Sequence, residues 1–159
     1  MLILDAPQIR IGKDGVWYAD GVPAVNKQII QLFASHLQRD DHNHYTIEWQ
    51  NQSYPVEVED VPFFVVSLAF RGEEAGDPGE ESGEESPGPV IRLYDGREMP
   101  LPPGKIVVKK GVPYISLLWP EDTKLSRAAY AELCTHAIER KGRYFIQYAD
   151  KEWLVEEIP

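Results

Sequence analysis

The stretch NKQIIQLFASHLQRDDHNHYTIEWQNQSYPVEVEDVP, Asn26 to Pro62, has a diverged counterpart in SRAAYAELCTHAIERKGRYFIQYADKEWLVEEIP, Ser126 to Pro159. Laid over one another, Asn26, Lys27, Ile30, Phe33, Ala34, Ser35 and His36 meet Ser126, Arg127, Tyr130, Leu133, Cys134, Thr135 and His136 without a gap. After a one-residue deletion, Tyr45, Ile47, Trp49 and Tyr54 meet Tyr144, Ile146, Tyr148 and Trp153. Each copy reads as a helix followed by a two-stranded antiparallel hairpin, a unit too small to bury its apolar face alone and so with a reason to be doubled. The first predicted helix runs from an Asn26 cap to Arg39, with Ile29, Ile30, Phe33 and Leu37 on one side at spacings of three and four. The second starts at a Ser126 cap and ends with Lys141 in its last turn and Gly142 just beyond.

Working outward, Gln8 to Ile11, Val16 to Ala19 and Val22-Pro23 read as a meander turned at Asp14-Gly15 and Asp20-Gly21, because glycine accepts the positive φ of a tight hairpin. Similar pieces recur as Ile91-Arg92-Leu93 with Asp95-Gly96, and as Gly111-Val112-Pro113. Phe63 to Phe70 is nearly all apolar and fits a central strand. The expected organisation is an N-terminal repeat over 1–71, an acidic disordered loop over 72–89 and a C-terminal repeat over 90–159. The loop, GEEAGDPGEESGEESPGP, has no large apolar residue with which to offset its ordering entropy. The fold class expected is α+β, built of duplicated helix-plus-antiparallel-hairpin units.

The formal charge of −10 is uneven: seven acids and no base lie between Arg71 and Arg92, and without them the remainder stands at −3. That near-balance weakens a nucleic-acid reading, and neither Lys105, Lys109 and Lys110 nor Arg140, Lys141 and Arg143 has aromatic residues interleaved as a stacking platform. The N-terminus MLILDAPQ lacks the basic region of a signal peptide, and no apolar run is long enough to span a bilayer. A cytoplasmic protein is the expectation. The single cysteine, Cys134, excludes an internal disulfide, and its alignment with Ala34 predicts a small buried side chain.

Candidate chemistry is sparse. Glu57, Glu59 and Asp60 gather carboxylates at a strand end, a pattern suited to acid–base work or a hard cation, although alternation with Val56 and Val58 is what a half-buried strand requires. His42-Asn43-His44 sits at a predicted helix exit without a counterpart in the second copy, so no metal site and no cofactor are expected. His36 and His136 occupy equivalent positions, each after Ser or Thr, which fits a repeated structural role for the imidazole. Trp17, Tyr45, Trp49, Tyr54, Tyr114, Tyr130, Tyr144, Tyr148 and Trp153 form an aromatic set suited to a core or to a ligand pocket. No phosphate-binding glycine loop, nucleophile elbow, zinc-type cysteine pair or dinucleotide fingerprint is present.

The run Val56-Glu57-Val58-Glu59-Asp60-Val61-Pro62-Phe63, preceded by Leu32-Phe33-Ala34-Ser35-His36-Leu37, resembles the bacterial domain of unknown function family 1285, as does Arg127-Ala128-Ala129-Tyr130-Ala131-Glu132-Leu133. This chain has Lys27 where that family carries a further arginine in the first helix, and it adds the acidic insert. The resemblance implies an internally duplicated α+β fold, a C-terminal half like pleckstrin-homology domains, and effector binding in signalling without catalysis. On these grounds Trp17, His36, Glu59, Asp60, Phe63, Tyr114, Arg127, Tyr130 and His136 are the candidate ligand-binding residues. The leading expectation is a non-enzymatic regulatory protein that binds a small-molecule effector or a protein near the interface of the repeats. The alternatives are a metal-assisted hydrolase using Glu59, Asp60 and His36, and a pure interaction module.

Overall fold

The computed structural model describes residues 8–72 and 87–159. Among these, 51% lie in strands and 12% in two helices, which makes the protein mostly β. The strands are β1 (Ile9–Ile11), β2 (Trp17–Ala19), β3 (Val22–Pro23), β4 (Leu37–Arg39), β5 (Tyr45–Trp49), β6 (Gln52–Val58), β7 (Phe63–Arg71), β8 (Gly88–Leu93), β9 (Glu98–Pro100), β10 (Lys105–Lys109), β11 (Val112–Ile115), β12 (Thr123–Leu125), β13 (Ala137–Arg140), β14 (Arg143–Tyr148) and β15 (Lys151–Ile158). The helices are α1 (Lys27–Ser35), after β3, and α2 (Arg127–Cys134), after β12. The chain divides into two units: the described residues up to Pro62 with Tyr94–Arg97, and those of Phe63–Leu93 and Glu98–Pro159. The acidic segment expected over 72–89 lies, from residue 73 to 86, outside the described residues.

The α+β expectation of helix-plus-antiparallel-hairpin units is overturned. Two mixed sheets form the fold, one of six strands in the order β3-β2-β1-β6-β5-β4 and one of nine in the order β13-β14-β15-β10-β11-β12-β7-β8-β9. Each helix is followed by three strands, and the last of them pairs parallel with a strand from before the helix, β6 with β1 and β15 with β10. A parallel pair needs a long crossover, and here two further strands, the helix and two more strands supply it. The pleckstrin-homology-like reading of the C-terminal half falls as well, since that half is part of the nine-stranded mixed sheet.

Local chemistry explains where the helices stop. Asn26 caps α1 by accepting from the Gln28 and Ile29 amides, and Ser126 caps α2 by accepting from Ala129. At nine and eight residues, both helices are below the length that sustains itself in water, so packing sets their ends. Leu37, four residues after Phe33, fits a helical stripe, but its burial comes from strand β4 beside Ile47 of β5. Ala137–Arg140 likewise pairs with β14. Lys141-Gly142 is therefore the β13–β14 turn: both residues have positive φ, as do Asp20-Gly21 and Lys110-Gly111, the geometry that matches strand twist in two-residue hairpins.

In the first unit Ile9, Ile11, Trp17, Ile30, Ala34, Leu37, Ile47 and Val56 are buried. In the second, Val65, Leu68, Ile91, Leu93, Ile106, Val108, Ile115, Leu125, Ala129, Leu133, Ile146 and Trp153 belong to one continuous core. The caps coincide in the alignment of the helices, but their buried faces do not: α1 buries Ile30 and Ala34, whereas α2 buries Ala129 and Leu133, one position earlier. Cys134, expected inside, is consequently exposed. The cause is β7, against which α2 packs and which has no counterpart beside α1.

Asp122 makes that join. Its buried carboxylate accepts from the backbone amides of Leu117 (2.7 Å), Leu118 and Trp119 (both 2.9 Å) and from the Thr123 hydroxyl (3.0 Å). Its carbonyl accepts from Phe63 N at 3.2 Å, setting β7 parallel to β12 from their first residues.

Two outcomes follow for stability. Leu133→Ala is expected to cost about 2–5 kcal/mol in chemical denaturation, the range for emptying a packed leucine site, whereas Cys134→Ala stays within about 0.5 kcal/mol as an exposed change. Equal effects would refute the one-residue roll of α2. Asp122→Ala leaves the partly buried amides of Leu117, Leu118 and Trp119 without their acceptor, and a loss of about 1–3 kcal/mol is expected in the same measurement.

Candidate functional site

The nine-stranded sheet curls until its two arms meet. Two side chains on one arm donate to carbonyls on the other, Tyr148 Oη to Arg71 O at 3.0 Å and Lys151 Nζ to Pro87 O at 3.3 Å, and Trp153 Nε1 donates to Pro102 O in the β9–β10 connection at 2.8 Å. Tyr148 and Lys151 face one another across the β14–β15 hairpin, and Trp153 follows on the same face as Lys151. An aromatic group extends this seam, with the Phe70 ring 4.1 Å from that of His136 and 4.8 Å from that of Tyr148, and His136 edge-on to Tyr148 at 4.9 Å.

Beside these contacts lies a cleft of about 140 Å³ lined by Arg71, Gly88–Val90, Glu98–Leu101, Lys151 and Trp153. Leu101 and Trp153 are buried and Met99 is half-buried, giving the cleft an apolar floor. Arg71 and Lys151 bring positive charge to its wall. Glu98, also on the lining, is engaged by the Arg92 guanidinium, with Nε donating at 3.0 Å. Among the described residues the lining has no serine, threonine, cysteine or histidine to serve as a nucleophile or proton shuttle. Its chemistry is that of a small binding cleft.

Residues 4–61 match the family model described as Domain of unknown function (DUF1285), N-terminal domain. In structure, the chain is similar to a DUF1285 family protein from Silicibacter pomeroyi DSS-3, with a TM-score of 0.69 at 16% identity over 94% of this chain and 79% of that one. It is also similar to a DUF1285 family protein from Shewanella baltica OS155, with a TM-score of 0.60 at 22% identity over 81% of this chain and 91% of that one. The chain is DUF1285-like. No curated protein matches it in sequence. At these identities the likeness to the solved structures is one of fold.

In this DUF1285-like chain the nine sequence-nominated residues do not converge on one point. Trp17, His36, Glu59 and Asp60 belong to the first unit, and Phe63, Tyr114, Arg127, Tyr130 and His136 to the second. Trp17 is a core residue of β2. His36 closes α1, its Nδ1 2.8 Å from Leu32 O and its ring edge-on to Trp49 at 5.0 Å. Glu59 pairs with Arg10 at 3.0 Å and accepts from Lys13 N at 3.2 Å, while Asp60 is exposed. Lys27 donates to Tyr94 O at 2.6 Å and lies 3.6 Å from the centre of the Tyr94 ring.

In the second unit Phe63 stacks on Trp119, Tyr114 lies under Lys109 Nζ at 5.5 Å, and Arg127 is exposed at the start of α2. Only His136 reaches the seam. Tyr130 lines a separate cleft of about 140 Å³ with Val108, Cys134, Tyr144, Ile146 and Val155. Burial, and then the adjacent Cys134 thiol, push its phenol up to about 12.

The sequence reading reaches Tyr148 and Trp153 as aromatics but assigns nothing to Arg71, Met99 or Lys151. These lie far apart in the chain and are brought together only by the curl of the sheet, for which periodicity carries no signal.

The phenol at Tyr130 has a pH consequence. Because its folded value lies above the ordinary 10, the folded state keeps the proton longer than the unfolded chain, and the associated stability is complete below pH 10 and lost as pH rises through about 12. Melting temperatures measured across that window should fall less steeply for Tyr130→Phe than for the wild type; parallel curves would show that Tyr130 is not the group responsible.

Proposed function

We propose that the protein is a non-enzymatic, effector-binding regulatory protein whose small-molecule site is the seam cleft of the second unit. The observation that carries this reading is the lining itself: a buried tryptophan and two further apolar side chains beneath two cations, at the meeting of two arms of one sheet. A few placed polar groups around an apolar floor is the usual composition of a ligand site. The size limits the occupant. At about 140 Å³ the cleft is well below the roughly 300–1,000 Å³ of sites that enclose drug-sized ligands, and it suits a molecule of one ring or a short chain.

The metal-assisted hydrolase has less support, since Glu59 is engaged by Arg10 and Lys13 and His36 packs against Trp49. A protein-interaction role has one separate observation in its favour. On the first unit Val22, Val25, Ile29 and Leu32 are exposed, and the last three repeat at helical spacing along α1 and its entry.

The test is a panel of single-ring fragments, neutral and charged, screened by ligand-observed NMR and thermal shift against the wild type and Met99→Trp. Fragments that bind the wild type and lose binding in Met99→Trp, with the melting temperature of the free protein retained, are the expected result. A wild type that binds none of them, or a Met99→Trp protein that binds them equally, would refute the seam cleft as the site.

A further inference from the structure

We infer that the cleft lined by Tyr130, between α2 and the sheet of the second unit, binds a small organic ammonium ion, one positive charge on an apolar body of a single ring or a short chain. This cleft shares no lining residue with the seam cleft. Strand pairing builds most of it. Tyr144 of β14 faces Val155 of β15, and Ile146 of β14 faces Ala137 of β13. Glu157, two residues beyond Val155 and so on the same face, pairs with Val108 of β10. Tyr130 and Cys134, one helical turn apart on α2, complete the lining, with the thiol against the phenol hydroxyl.

The lining changes character from floor to mouth. Val108 and Ile146 are buried, Tyr130 and Val155 half-buried, and Tyr144 and Glu157 exposed. Among the described residues Glu157 is the one charged group on this lining, and it has no ion pair of its own. A carboxylate beside two tyrosine rings suits a cation for two reasons: the acid supplies the opposite charge, and the faces of the rings attract positive charge through their quadrupole. An anion would meet Glu157 with no lysine, arginine or histidine on the described lining to offset it. Calcium and magnesium need six or more oxygen ligands, far more than one carboxylate supplies, and would leave the apolar floor unused. The floor decides the rest of the ligand. A cavity of about 150 Å³ is known to hold a benzene ring, and the volume here is about 140 Å³. The chain's formal charge of −10 also favours the approach of a cation at low ionic strength.

The experiment titrates benzylammonium, its neutral analogue benzyl alcohol, and ammonium chloride into the full chain at low salt, followed by ligand-observed NMR or calorimetry. Wild type, Glu157→Gln, Ala137→Leu and Met99→Trp are compared, with circular dichroism and melting as controls for folding. Glu157 and Ala137 are both exposed, so their exchange leaves the core intact. Benzylammonium is expected to bind about tenfold more tightly than benzyl alcohol, the joint effect of the carboxylate and the rings. Glu157→Gln should weaken benzylammonium by at least about threefold, the scale of one solvent-facing ion pair, and leave benzyl alcohol unchanged. Ala137→Leu, which narrows the cleft at its rim, should weaken both ring compounds, whereas Met99→Trp, in the seam cleft, should weaken neither. Equal binding of benzylammonium and benzyl alcohol, or a preference that survives Glu157→Gln, would overturn the ammonium assignment. Ammonium chloride binding as tightly as benzylammonium would overturn the need for an apolar body. Benzylammonium lost in Met99→Trp but kept in Ala137→Leu would move the ligand to the seam cleft and overturn this site, as would binding of none of the three.

Discussion

The pairing of β12 with β7 begins at a loop held by a single buried carboxylate. Asp122 gathers the amides of Leu117, Leu118 and Trp119 into a tight loop and presents its own carbonyl to Phe63 N. With that register set, β12 pairs parallel with β7 through Thr123, Lys124 and Leu125 against Phe63, Phe64 and Val65. The core of the second unit draws Leu68, Ile91 and Leu93 from one side of this join, and Ile106, Val108, Ile146 and Trp153 from the other. A buried polar group is tolerated only when its partners are supplied. Here the partners are the loop that continues the sheet, so the cost of burying the charge is tied to the contact that extends it.

The same join explains why two segments with matching strand order behave differently. In strand order, β3-β2-β1-β6-β5-β4 in the first unit corresponds to β12-β11-β10-β15-β14-β13 in the second. β3 has two exposed residues, one of them proline, and ends its sheet; short strands and proline are common at edges because they discourage further pairing. β12 is buried at Thr123 and Leu125 and has β7 beyond it. The extra strand gives α2 a second surface to cover, and its buried face moves from the position of Ile30 to that of Ala129. Sequence alignment at the caps therefore holds while side-chain environments diverge, and Ala34 and Cys134 end in opposite surroundings.

What the sequence makes legible here is local. The alternation of Tyr45, Ile47 and Trp49, the hairpin glycine at Gly21, and the Asn26 and Ser126 caps depend on a few neighbouring residues, and they stand in the structure as read. The helix ends were misjudged because Leu37 satisfies both a helical spacing from Phe33 and a strand alternation with Arg39, and only Ile47 across the ladder decides between them. The fold class was misjudged because helix and hairpin signals are strong per residue, whereas β4, β9, β12 and β13 are short strands that gain their order from partners. The candidate site suffers most from this limit. His136 marks the seam, but Arg71, Met99 and Lys151 acquire their chemistry only when the sheet curls.

The seam is held by side chains that reach backbone carbonyls. Its three donors all meet carbonyl acceptors, contacts worth on the order of 1 kcal/mol each, somewhat more where the donor is charged. Tyr148 Oη at 3.0 Å and Trp153 Nε1 at 2.8 Å lie at ordinary hydrogen-bond length. Both are aromatic side chains with an apolar body and a polar edge, so each can pack against the core and still donate to a backbone carbonyl.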